Sequence, residues 1–419
     1  MSAQRAPILD QTAMLLVKGY AWLPDLRRKA PGPLARTRLF GRQAVGMCGP
    51  EAVRFLYDEG KVRRRGTAPE PIVSTLFGHG SVHGLDGERH RARKELFSAT
   101  ARPPEAVAAL TESVVSAWDE AAATWADRSP VVLFREAANA IASGVARWAG
   151  IPLSSADTDR LASDMVALVD GFGTPGPRHW RARIARVAWE GRLARLVKEV
   201  RSGSAGVPQW SVVDTVARHR EDGEPLHPRV AAVEILNIVR PTTAACWLVA
   251  FAAHAFSLWP DQKARVREGE EEARSFAQEV RRFYPFAPFV GGTVRADTEW
   301  KGEPVPGGAL VLVDIYGQHH SPELWKAPYI FDPTRFTGPP VEEGVFIPQG
   351  GGDVAEGHRC PGEDVVLSVL TALSRRLAEL DYTTPAQDWT IPLGRIPTHP
   401  KDGAVIDASG PRRGSGSGP

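Results

Sequence analysis

From Pro241 to Pro260 the chain runs for 20 residues without a charged side chain. A helix that is apolar on every side is stable only where lipid or other protein surrounds it, so this stretch decides between a membrane span and a large helical core. Its length is about what a bilayer requires. Against a span, it opens with Pro241-Thr242-Thr243, contains His254 and continues a helix that already carries Glu234 and Arg240. It is read here as part of a buried helix that starts at His227-Pro228 and runs to about Trp259, kinked where Pro241 removes a backbone donor and collides with the preceding turn. With 419 residues, 43% of them apolar, the chain has the material to surround it.

Helical patterns occupy Glu105 to Trp125, Glu136 to Ala149, Asp157 to Val169, Arg178 to Val200, Asp261 to Phe283 and Glu363 to Leu380. Another helix starts at Glu88 and places His90 and Lys94 on one face. Between Arg178 and Val200, the residues Trp180, Ile184, Val187, Leu193, Val197 and Val200 recur at near-helical spacing and are expected to form one apolar stripe, with arginines on a solvated face. Strand signals are few: a hairpin across Arg36 to Cys48, and a small sheet across Thr293-Val294-Arg295 and Ala309 to Val313. A helix from Pro50 through Tyr57 follows the hairpin. No strand-helix alternation calls for a parallel sheet, so the fold class is mainly α with a small β part, in a single domain over residues 1–409. Residues 410–419, built only of Gly, Pro, Arg and Ser, read as a disordered tail.

Composition excludes several functions. Lys and Arg total 51 against 49 for Asp and Glu, too balanced to imply a nucleic acid partner. Cys48, Cys246 and Cys360 are too few and too unlike in context for a disulfide framework, which fits a reducing cytoplasm. Met1 to Asp10 has no apolar segment with a small-residue cleavage site, so neither secretion nor a membrane anchor is expected.

Chemistry concentrates in Gln349 to Glu363, a glycine-rich loop that delivers Cys360 to the start of a helix. The helix N-terminus, His358 and Arg359 are expected to favour thiolate over thiol. The glycines are expected to let the backbone approach something large and flat, and Gly362 to keep the far side of the sulfur open. As a nucleophile Cys360 lacks a well-placed base, since His358 is two residues away in a tight loop. As a zinc ligand it lacks partners at metal spacing, and His319-His320 reads as structural. Haem-thiolate ligation needs only this one protein ligand. A second glycine-rich segment, Leu76 to Gly87, is free to pass close to a ligand. Arg240 would be a buried cation beside Pro241. Glu234 is six residues away on a different helix face, which favours an exogenous carboxylate as its partner.

Glu279-Val280-Arg281-Arg282, then Phe331-Asp332-Pro333-Thr334-Arg335-Phe336, then the Cys360 loop with its Cys-x-Gly, resemble a cytochrome P-450 in order and spacing across essentially the whole chain. The resemblance implies a triangular helical domain with minor antiparallel sheets. It makes Cys360 the axial ligand of haem b iron, and Glu279, Arg282 and Arg335 a structural network. Monooxygenases of that family carry an acid followed by threonine where this chain has Arg240-Pro241. Arg240-Pro241, together with Gly-Gly-Gly-Asp and Gly-His-Arg-Cys-Pro-Gly-Glu, is similar to the fatty-acid peroxygenase branch, which consumes hydrogen peroxide directly and needs no redox partner.

By that likeness Arg240 clamps the carboxylate of a medium- to long-chain fatty acid. The carboxylate then serves as general acid-base, and thiolate donation favours O–O cleavage. Phe77, Phe289 and Val290 would contact substrate. His83, where hydroxylases of the branch commonly have glutamine, points toward terminal-alkene formation beside α- or β-hydroxylation. Arg65, His90, Lys94, Arg295 and His358 are candidates to hold the haem. Many members of the wider family have phenylalanine where this loop has Asp353. A conventional monooxygenase fed by a reductase, and a haem-binding sensor or carrier, are the alternatives.

Overall fold

A computed structural model describes residues 9–408; the N-terminal segment and the 410–419 tail discussed above lie outside the described residues, apart from Leu9 and Asp10. The principal elements, in chain order, are α1 (Thr12–Lys18), β1 (Ala35–Leu39), β2 (Arg42–Met47), β3 (Val62–Arg63), α2 (Gly87–Ala101), α3 (Pro104–Ala122), α4 (Leu133–Ala149), α5 (Ser155–Asp170) and α6 (Pro177–Ser202). There follow α7 (Pro228–Thr243), α8 (Ala245–Leu258), α9 (Glu270–Phe283), β4 (Phe289–Val294), β5 (Leu310–Asp314) and α10 (Glu363–Glu379).

The uncharged run lies inside the protein. Of the most apolar window in Pro228–Leu258, 94% is buried, with Trp247 and Phe251 fully enclosed. α7 packs on α4 and α6, and α8 on α4 and α10, so the all-round apolar surface meets helices on every side. The helical path continues through Pro241 and is interrupted one turn later, at Ala244 (φ −63°, ψ −10°). Around the proline, the hydroxyls of Thr242 and Thr243 donate to the carbonyls of Ile238 and Val239 at 2.8 and 2.9 Å.

The stripe expected on α6 is divided. Its buried face is Ala182, Ala185, Arg186, Trp189, Leu193 and Val197, whereas Trp180, Ile184 and Val187 are 60%, 70% and 72% exposed. Six residues separate Val187 from Leu193, roughly one and two-thirds turns, so the two halves of the pattern cannot share a face. The pattern from Asp261 to Phe283 is also two helices, parted at Gly269.

The small sheet has the order β1-β2-β5-β4-β3. Three of its pairings are antiparallel, but β5 runs parallel to β2, with Val311 opposite Val45, so the sheet is mixed. The whole helical region separates β2 from β5 in the chain, which removes the hairpin constraint that would force an antiparallel pairing.

Candidate active site

A cavity of about 990 Å³ opens between α7 and the cysteine loop. Cys360, Arg240, Pro241, Phe77, His83, His90, Lys94, Phe289, Val290 and His358 all line it. Arg65 and Arg295 do not.

The loop places Cys360 two residues before Gly362, the N-cap of α10. Its glycines serve a partner other than a ligand: a Cβ on Gly350 would lie 2.4 Å from the Tyr57 hydroxyl, one on Gly351 would lie 2.4 Å from Val53, and one on Gly352 would lie 3.0 Å from the Tyr57 ring. They let the loop seat on the helix Pro50–Tyr57. Gly362 does leave the sulfur open, since a Cβ there would touch nothing nearer than Sγ at 3.9 Å.

The expected thiolate bias is absent. Burial pushes the Cys360 thiol up, against a smaller opposite effect of the Gly362 backbone. Arg359 is neutralised by Glu363 at 2.8 Å, and burial holds His358, stacked on His90 at 3.8 Å, down to about 2. Gln349 Nε2 donates to Sγ at 3.5 Å. Arg281 fixes that amide, donating to Gln349 Oε1 at 2.8 Å and to Glu363 at 2.6 Å.

On the side of the cavity away from Arg240, the lining residues Arg64, His90 and His358 each carry a donor without a hydrogen-bond partner, at Nη2, Nδ1 and Nε2. Arg64 is buried, with its guanidinium 4.9 Å from the Tyr57 ring centre and a bond to the Gly291 carbonyl. Lys94 braces the loop, donating to the Gly357 carbonyl at 2.7 Å and to that of Arg359; burial lowers it to about 8. Arg65 is exposed, its backbone N–H donating to Asp86. Arg295 is exposed and donates to the Glu59 carbonyl at 2.7 Å. An open sulfur and a cluster of unsatisfied cationic or neutral donors on one cavity wall are what a haem with two propionates requires, so these residues fit that cofactor.

The opposite wall is tied to α7. Glu234 Oε1 accepts from the Val82 backbone at 2.8 Å and from Arg93 at 2.6 Å, and Asn237 Nδ2 donates to the Phe77 carbonyl at 3.0 Å. These bonds fix both ends of the segment bearing Phe77 and His83, whose rings stack at 4.4 Å. Burial, followed by the charges of Arg240 and Arg186, lowers His83 to about 3 and keeps it neutral.

Arg240 is 7% exposed. Its nearest polar contact is Asn237 Oδ1 at 3.5 Å, its Nε has no partner, and no carboxylate among the described residues pairs with it. Glu234 is committed to Arg93. Burial lowers Arg240 to about 9, with Arg186 adding to the effect.

Glu279, Arg282 and Arg335 form a separate charge network, of which Arg282 alone reaches the cavity lining. Glu279 takes two 2.7 Å bonds from Arg282 and one of 2.8 Å from the Asp332 backbone, with Arg335 at 3.6 Å. Arg282 also donates to the carbonyls of His319 and Pro328. This is a folding network. Sequence reasoning missed Arg64, Gln349 and Asn237. For Arg64 a signal existed: Val62 is buried in β3, and strand alternation points Arg63 outward and Arg64 inward.

The cytochrome P-450 family model matches residues 274–370. Among curated proteins, the chain is 26% identical to cyclooctat-9-en-7-ol 5-monooxygenase of Streptomyces melanosporofaciens, over 90% of this chain and 89% of the relative. Among solved structures, cytochrome P-450SP alpha is 35% identical over 95% of this chain and 98% of its own, with a TM-score of 0.92. Cytochrome P-450EX alpha with myristic acid is 34% identical over 96% and 97%, at 0.91. A variant of cytochrome P-450 OleT in complex with arachidonic acid is 30% identical over 97% and 98%, at 0.93. With a cavity that presents one open cysteine sulfur opposite an unpaired arginine, and with likeness at this level over nearly its whole length, the chain belongs to the cytochrome P-450 family, in its fatty-acid peroxygenase branch.

Proposed function

We propose that Arg240 receives the carboxylate of a medium- to long-chain fatty acid, which this protein oxidises with hydrogen peroxide and without a redox partner. The observation that carries this reading is a buried guanidinium with no anion of its own, lining the same cavity as Cys360. An unpaired buried cation is costly, and a bidentate carboxylate relieves that cost while fixing the acid in one orientation. Myristic and arachidonic acids in the related structures are ligands of this chemistry.

Cys360 would hold haem b, with Arg64, His90 and His358 available to its propionates, and the group would supply peroxide activation, which a thiolate ligand favours. Gln349 donates to the sulfur and steadies its charge. Arg240 holds the substrate carboxylate, which takes and returns the peroxide protons as a general acid-base. Pro241 removes one backbone donor beside that site. His83, neutral and stacked on Phe77, stands beside the carboxylate and biases the outcome toward terminal alkene over α- or β-hydroxy acid.

Purified protein, a saturated long-chain acid and peroxide alone should give hydroxy acids, terminal alkenes or both by gas chromatography. Turnover strictly dependent on NAD(P)H and a reductase would instead assign a conventional monooxygenase. No turnover with peroxide across acids and neutral substrates would leave a sensor or carrier.

A further inference from the structure

We propose that the N-terminal half of α6 docks this enzyme peripherally on an anionic lipid surface, with the mouth of the cavity facing the bilayer. The inference rests on the fatty-acid reading above. Trp180, Ile184 and Val187 follow i, i+4, i+7 spacing and form an exposed apolar stripe on a helix whose opposite face is already committed to the core. Exposed apolar surface of this kind marks an interaction site.

Two further observations say what covers it. The first is charge. Arg178 and Arg395 are paired with Asp170, and Arg160 with Asp164. Arg181 bonds only to the Ser163 hydroxyl, and Arg183 stands 5.5 Å over the Trp180 ring. Neither has an ion-pair partner among the described residues, so the stripe is flanked by two free guanidinium groups. Aromatic and aliphatic residues flanked by arginine are the pattern of a helix that lies in a membrane interface and favours anionic headgroups.

The second is position. Trp180 also lines the cavity, and across its mouth so do Leu16 and Phe40, themselves 46% and 45% exposed. The loop at Gly394 and Ile396 runs between the two sides: a Cβ on Gly394 would lie 2.7 Å from the Val17 carbonyl of α1, and one on Gly173, just ahead of α6, would lie 3.7 Å from the Ile396 carbonyl. The exposed apolar surface is thus continuous with the wall of the substrate cavity. A single-chain acid dissolved in a bilayer could pass along it without crossing water, a path that neither a second protein nor free solution requires.

The test is cosedimentation of the full-length holoenzyme with phosphatidylcholine vesicles with and without phosphatidylglycerol. Binding is expected on the anionic vesicles and to weaken with salt. Ile184→Ser with Val187→Ser should lower the partition coefficient at least tenfold, and Arg181→Glu with Arg183→Glu should abolish the preference for phosphatidylglycerol. Both variants should keep the haem spectrum and the rate on a medium-chain acid supplied in solution without vesicles. The proposal is overturned if the wild type stays in the supernatant, or if the apolar double variant binds as well as the wild type. It is also overturned if sedimentation velocity shows a wild-type dimer that this variant converts to monomers, which would assign the face to a second copy. Vesicle binding without any acid turnover would keep the docking surface and overturn the fatty-acid reading instead.

Discussion

Replacing Arg240 by leucine should stabilise the fold while removing acid binding. Burial lowers this guanidinium from 12.5 to about 9, and at roughly 1.4 kcal/mol per pKa unit the charge costs the substrate-free fold on the order of 5 kcal/mol at neutral pH. The sign follows from the direction of the shift. A base whose folded pKa is depressed is a burden below that pKa, and the burden lifts as pH rises from about 9 toward 12.5. Arg240→Leu keeps most of the side-chain volume and leaves behind only the weak 3.5 Å contact of Asn237. Allowing for that loss and for relaxation around the charge, a net gain of about 1–3 kcal/mol is expected, or about 1–4 °C in the unfolding midpoint at this chain length.

Binding should move the other way. Two charge-assisted bonds to a carboxylate at about 1.5–3 kcal/mol each would weaken acid affinity by roughly two to four orders of magnitude. The matching fatty alcohol, which cannot use the clamp as an anion, should lose little. The assays are thermal unfolding of the substrate-free holoenzyme and Soret titration with the acid and alcohol of one chain length. A variant that unfolds earlier than wild type would refute the reasoning, because it would mean that the protein itself supplies a partner for this cation.

Three further outcomes can be checked. His83→Gln should shift product from alkene toward hydroxy acid at similar total turnover, read by gas chromatography; an unchanged ratio removes the assigned role. Gln349→Leu deletes the one side-chain donor recorded on Sγ and should move the ferric/ferrous midpoint on the order of 50 mV more negative, since a hydrogen bond to a ligating sulfur raises the potential; spectroelectrochemistry decides it. Arg64→Leu should release haem to apomyoglobin about tenfold faster or more, having removed a partner of the propionates, whereas Arg65→Leu, at an exposed position, should leave the release rate unchanged.

What was legible in the sequence was chemistry held in one local stretch. The cysteine loop, the Glu279 and Arg282 pair one helical turn apart, and Arg240 beside Pro241 each carry their meaning within a few residues, and the structure brings Cys360 and Arg240 to one cavity. What was not legible depended on partners remote in the chain. The loop glycines suggested room for a ligand, yet the space is taken by Tyr57 and Val53. The thiolate bias followed from His358 and Arg359, but burial and Glu363 outweigh both. Arg64 and Arg65 are adjacent just past the end of β3, and only the first turns inward to the cavity while the second is exposed in the turn that follows. The stripe on α6 failed through phase, because near-helical spacing summed over several turns no longer defines one face.

The site also has a mechanical logic that single-residue reading could not reach. Glu234, Asn237 and Arg240 follow one another at three-residue steps along α7, so each neighbours the next while the outer two diverge by roughly a third of a turn onto different faces. The first anchors Val82, the second anchors Phe77, and the third faces the cavity unpaired. One rigid helix thus sets the position of the carboxylate clamp and of the Phe77–His83 wall together. A change at Glu234 would act on both at once. It would free Arg93, which holds the Gly80 carbonyl at 3.0 Å and pairs with Glu221 at 2.8 Å, and leave a buried guanidinium short of a partner, a defect typically worth about 3–5 kcal/mol. That coupling accounts for an acid so close to the cavity being fully buried and satisfied: it holds the wall, and on the function proposed above the proton chemistry falls to the carboxylate of the substrate.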